Sequence, residues 1–131
     1  MSGKLDYSRA GILPVLAGAG LLFGCAADEP AVVSYKNDIQ PILAAQCVEC
    51  HKSGAAGYEA SGLAMDTYAN LMRGTRFGRI VIPGDGLTSI LVMLIEGRAD
   101  ESIRMPHGKT PLSAEEILLI RTWVEQGAKD N

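Results

Sequence analysis

Three residues within five positions, in the run Cys47-Val48-Glu49-Cys50-His51, form a C-x-x-C-H pattern. Two thiols so spaced near the end of a helix can each bond one vinyl group of a porphyrin, and the adjacent histidine is then delivered beneath the iron as an axial ligand. Covalent attachment holds that ligand close to the metal, so its coordination costs little further entropy. A second axial ligand has to come from a distant loop. Met105-Pro106-His107 offers a thioether and an imidazole, both of which bind haem iron. Met105 is the expected ligand, because the proline that follows restricts its backbone, and His107 is the alternative. Met72 and Met93 lie on helical stripes, Met65 just before a helix cap and Met1 in the leader, which fits packing better than ligation.

Other chemistries can be written on the same residues. Cys47, Cys50, His51 and His107 would complete a tetrahedral zinc set and make the chain a structural zinc lipoprotein. Cys50 and His51 would then crowd one small ion, and Met105 would have no role. A redox dithiol needs only Cys47 and Cys50, but the strand–helix alternation around such motifs is missing. A plain disulfide leaves His51 incidental. A haem with an open sixth position would make a peroxidase or a gas-binding protein, and Met105 argues against that opening.

The 131 residues support one domain, with few large side chains to fill a core: aromatic residues make up 5% while glycine occurs 15 times. A buried cofactor would supply the missing apolar volume. The formal charge of −3 gives no basic stripe for phosphates, so nucleic acid is not expected as a partner, and an acidic surface suits solubility and basic partners.

The beginning of the chain has the makings of an export address. Lys4 and Arg9 precede an apolar stretch from Ala10 to Phe23, too short to span a bilayer comfortably. Leu22-Phe23-Gly24-Cys25 resembles the lipobox of bacterial lipoproteins, with phenylalanine where that family usually has a small residue. The resemblance implies a signal peptide over residues 1–24, lipid on Cys25, a short tether over 25–34 and a domain over 35–131. By resemblance to lipoprotein sorting in Gram-negative bacteria, Ala26 rather than aspartate after the cysteine implies the outer membrane over the inner in a host that has one. An ordinary secretory signal or an uncleaved anchor is the alternative. Lipid on Cys25 and porphyrin on Cys47 and Cys50 would leave no thiol of this exported chain unpaired.

The elements that must position these residues are helices. Ile39, Ile42 and Leu43 form a stripe over about Tyr35 to Gln46, with Asn37 or Asp38 as cap and Pro41 in the first turn. Asp66 and Thr67 open a short helix through Tyr68, Leu71 and Met72, which Gly74 ends. A third runs from about Thr88 to Glu96 and is apolar on most sides. The last carries an S-x-x-E capping box, Ser113 and Glu116, a hydrophobic staple of Leu112 and Ile117, a stripe of Ile117, Ile120, Trp123 and Val124, and Gly127 as C-cap. Glycine-rich loops are predicted over 52–62, 74–86 and 97–110. Arg79 to Ile82 has at most an extended character, so the expectation is a small all-α domain.

From Tyr35 to Ala128 the chain resembles the c-type cytochrome domain of planctomycete and other bacterial exported proteins. The matching signposts are Asp38-Ile39-Gln40-Pro41-Ile42-Leu43, the C-x-x-C-H run, Gly62-Leu63, Pro83-Gly84-Asp85 with Ser89, Met105-Pro106, and Trp123 with Gly127-Ala128. The resemblance implies the small cytochrome c fold, about four helices with long loops around one haem c, first and last helices packed together, and Met105 as distal ligand. His107 stands where proline or glycine is more usual, which keeps a bis-histidine site open. A basic residue among Arg73, Arg76 and Arg79 is a candidate partner for a haem propionate. Tyr35 and Trp123 are either near the haem edge or in the core. The implied function is one-electron transfer between exported redox proteins, with no enzymatic reaction of its own.

Overall fold

The computed structural model describes residues 31–131, and it is helical. The leader and Cys25 lie outside the described residues. A single π-helical turn, Tyr35–Ile39, runs straight into α1, Gln40–Gln46. Pro41 explains the wide turn before it: proline has no N–H to give, and its ring would crowd the carbonyl four residues back in a regular helix. The cap is not Asn37 or Asp38. Ser34 Oγ accepts from the Asn37 N–H at 3.2 Å, and the Asp38 carboxylate reaches back to the Ser34 N–H at 2.7 Å, a reciprocal pairing that satisfies donors at both ends of the turn. No helix among the described residues is long and apolar enough to cross a membrane.

The last helix, α5, spans Ala114–Glu125. Its capping box is complete: the Glu116 N–H donates to Ser113 Oγ at 3.2 Å and the Ser113 N–H to Glu116 Oε2 at 2.8 Å. Leu112 is buried as the staple requires. At the other end the Ala128 N–H reaches the Trp123 carbonyl at 2.8 Å and the Gly127 N–H the Val124 carbonyl at 3.0 Å. That pair is a Schellman motif, with Gln126 as the C-cap and Gly127, at φ 100°, supplying the left-handed residue beyond it.

First and last helices pack together as expected. The ring of Tyr35 lies 5.6 Å from that of Trp123 and 5.1 Å, edge-on, from that of Tyr68. Trp123 Nε1 donates to the Lys129 carbonyl and Tyr68 Oη to that of Ala128, so the polar ends of two core aromatics are satisfied by the chain end. Residues 31–34 are held to the same place: the Val33 N–H donates to Gln126 Oε1 at 2.8 Å, and Asn131 Nδ2 donates to the Val33 carbonyl at 3.2 Å.

Between these helices lie α2 (Ala56–Ser61), α3 (Tyr68–Arg73), α4 (Ile90–Ile95) and a 3-10 turn, Glu101–Ile103. α3 has its expected cap, Thr67, and its expected end, Gly74. α4 begins two residues later than its apolar run suggests. Ser89 is wholly buried; its Oγ donates to the Asp85 carbonyl at 2.7 Å and accepts from the Ile82 N–H at 2.8 Å, which keeps Ser89 extended at ψ 117°. The helix can start only after it. α2 falls inside a predicted loop, which corrects the reading of 52–62 as irregular. Arg79 to Ile82 joins no sheet, and among the described residues the one β-type pairing is an isolated bridge between Thr75 and Gly78.

Candidate functional site

The C-x-x-C-H run starts where α1 comes apart. The Leu43 carbonyl accepts from both the Cys47 and Val48 N–H groups, and the chain then turns so that the Cys50 and His51 N–H groups both point back at the Cys47 carbonyl, at 3.1 and 2.9 Å. Cys47 is half-buried against the core and Cys50 exposed. Burial pushes the Cys47 thiol up to about 11, against a smaller pull downward from Lys109. Such a sulfur is no thiolate at neutral pH, whereas a catalytic dithiol needs a lowered pKa.

His51 is fixed from both sides. Its carbonyl accepts from the Met65 N–H at 2.8 Å, and α2 lies against its ring. A Cβ on Gly57 of α2 would stand 2.7 Å from the Cys50 carbonyl oxygen and 2.8 Å from His51 Cε1, so only glycine allows this approach. His51 Nδ1 is buried and makes no hydrogen bond. Burial holds the imidazole below its ordinary pKa, and the Leu63 backbone offsets part of that shift without satisfying Nδ1. The ring is therefore neutral at pH 7, the form that can bind a metal.

Cys47, Cys50, His51, Met105 and His107 all line one cavity of about 440 Å³. Its size falls in the usual range for cofactor sites. The remaining wall is mostly apolar: Ile90, Leu91, Leu94 and Ile95 from α4, with Leu63 and Ile80. Met105 is half-buried, packs on the core and donates its backbone N–H to the Leu94 carbonyl at 3.3 Å, whereas His107 is exposed. Lys109, on the same loop, pairs with Glu49 between the two cysteines at 2.5 Å, bridging 60 residues of sequence. That hydrogen bond holds the Glu49 carboxyl below and the Lys109 ammonium above their ordinary values.

An apolar cavity that collects two thiols, a neutral imidazole and a thioether fits a porphyrin and its iron. Among the described residues, no three His, Cys, Asp or Glu side chains come together as a metal site. Sequence reasoning missed α2, the Glu49–Lys109 pair and Met65, which is buried and lines the cavity. Arg73, Arg76 and Arg79 are exposed and outside the lining, and Tyr35 and Trp123 belong to the aromatic core.

A small all-α domain with a C-x-x-C-H turn and a Met-Pro loop on one apolar cavity is the arrangement that a cytochrome of the c class would have. Residues 47–107 match the family model described as Planctomycete cytochrome C, which supports a cytochrome c domain of the planctomycete type over that segment, a family that implies haem binding. No curated protein and no solved structure matches the chain.

Proposed function

We propose that the protein is an exported carrier of single electrons, with one haem bonded covalently to Cys47 and Cys50 and held axially by His51 and Met105. The observation that carries this reading is the convergence of those four side chains on one apolar cavity. Haem, when bound, supplies an iron that cycles between ferrous and ferric states. The chain's own residues set how that happens. His51 presents a neutral imidazole whose position is fixed by Gly57 and by the Met65 N–H. Met105 offers a soft sulfur that favours ferrous iron, and the aliphatic wall from α4 keeps water away, which also disfavours the extra charge of the ferric state. With Met105 as the second axial ligand, the iron would have no open position for peroxide or dioxygen, which favours a carrier over an enzyme.

Lipid on Cys25 would hold the domain at a membrane surface, the outer membrane by the residue that follows the cysteine. Two acyl chains give stable anchoring, so the protein should partition with membranes and Cys25→Ser should release it. The redox proposal is tested by spectroelectrochemical titration of protein exported from a host with cytochrome c maturation machinery. One reversible one-electron wave, with slow and weak carbon monoxide binding to the reduced form, is expected. Fast, tight carbon monoxide binding by the wild type would reject the carrier reading.

A further inference from the structure

The turn between α3 and the buried Ile80 carries a feature the fold does not use. Phe77 is 82% exposed at its tip, apart from the cluster of Tyr35, Tyr68 and Trp123. The turn is nevertheless built rigidly. The Thr75 N–H donates to the Gly78 carbonyl at 2.9 Å, the Gly78 N–H returns to Thr75 at 3.2 Å, and Thr75 Oγ1 accepts from the Phe77 N–H at 3.0 Å. Gly74, at φ 80°, lies so close beneath that a Cβ would come within 2.5 Å of the Gly78 oxygen. The Arg76 guanidinium donates to the Glu59 carbonyl and sits 6.0 Å from the centre of the Phe77 ring.

Charge on the turn runs against the rest of the chain. No aspartate or glutamate occurs from Thr67 to Gly84, while Arg73, Arg76 and Arg79 are all exposed and none pairs with a carboxylate among the described residues. A net-acidic protein therefore holds a local basic rim around one exposed aromatic ring. The rim is beside the haem cavity, because Thr75 and Ile80 line it. Arginines and an exposed aromatic ring are what protein contacts are made of, and a preformed turn loses little freedom on binding.

We propose that the Arg73–Ile80 turn is the docking surface for an acidic one-electron redox protein, steered by Arg73 and Arg79 and seated on Phe77. The proposal rests on the electron-carrier reading above. It reverses, for this one face, the basic partner that the overall charge suggests.

The test uses the haem-loaded protein and, as probe, an oxidised plant-type ferredoxin, an acidic one-electron protein, so that binding is read with no electron passing. Association is followed by stopped flow against ionic strength, and the contact is mapped by amide chemical shifts. Arg76 is left in place because it ties the turn to Glu59. Arg73→Glu with Arg79→Glu should slow association at low salt tenfold or more and flatten its salt dependence, the size expected for electrostatic steering. Phe77→Ala should speed dissociation severalfold with the salt dependence unchanged, and the shifts should centre on residues 73–80. Wild-type association by the charge-reversed protein, with its haem spectrum intact, overturns the docking surface alone, as does a shift map centred elsewhere. Charge reversal that moves the haem potential but not the binding overturns it too, assigning the arginines to the haem. A wild type without haem overturns both readings.

Discussion

Replacing Met105 with alanine is the most informative single change. Met105 lines the cavity with His51, and the loop that carries it is tied to the body by the Met105 N–H to Leu94 and by Lys109 to Glu49. With Met105 as distal ligand, an exogenous ligand would enter only when the sulfur is off the iron, so its apparent affinity would be reduced by the fraction of molecules in that state. If that fraction lies at roughly 0.1–1%, as for many minor conformers, Met105→Ala raises carbon monoxide affinity by about 100- to 1,000-fold. Because Met105 is only half-buried, its truncation costs about 1–2 kcal/mol of packing, less than the roughly 2–5 kcal/mol of a fully buried methionine, so the variant still folds. The assay is carbon monoxide titration of the reduced protein, with the weak red-edge sulfur-to-ferric-iron band followed in parallel. That band should vanish in Met105→Ala and persist in His107→Ala, whose parent side chain is exposed. If Met105→Ala keeps the wild-type spectrum and affinity while His107→Ala opens the iron, the distal ligand is His107 and the reasoning from burial fails.

Gly57→Ala places a methyl against the Cys50 carbonyl and the His51 ring; it should lower stability by about 1–3 kcal/mol, seen as a reduced melting temperature, and reduce haem incorporation, while Ala60→Gly on the same helix should leave incorporation intact. Lys109→Met or Glu49→Gln breaks the tie across the cavity mouth and should speed imidazole capture by the ferric protein roughly two- to fivefold, an effect that high salt mimics in the wild type and that the swapped pair Glu49→Lys with Lys109→Glu reverses. The Asp85 carboxyl is held below its ordinary pKa first by the Thr88 hydroxyl and then by the Thr88 N–H. A group lowered in the folded state stabilises the fold above its unfolded pKa, so the melting-temperature gap between wild type and Asp85→Asn should be full at neutral pH and close as pH falls below about 4, through the lowered value. A gap that widens in acid would mean the carboxylate is not held by Thr88.

The sequence is most legible where a helix announces itself locally. A stripe and a proline gave the extent of the first helix, and a complete capping box gave the start of α5, because both depend on residues a few positions apart. α2 sends no such signal: Ala56–Ser61 contains no buried residue, so it has no stripe, and it is held by a backbone bond from the Tyr58 N–H to the Cys50 carbonyl. Its only sequence trace is Gly62, left-handed at φ 75°, at its end. Ser89 misled by one hydroxyl, which serves the preceding turn instead of lying within the helix. In the site, the C-x-x-C-H run and Met105 could be singled out from their own residue types, and the structure brings them to one cavity. Glu49–Lys109 and the contact of Gly57 with His51 were not, since each exists only once distant segments have met.

The central claim is that Cys47 and Cys50 bond a haem that His51 and Met105 hold, and its most direct test is the intact mass of the exported protein after denaturation in acid. One haem should stay on the chain through that treatment, and Cys47→Ala with Cys50→Ala should abolish it and leave the domain largely unfolded. A wild-type chain that sheds its haem in acid, or that carries zinc or two free thiols instead, would contradict the account.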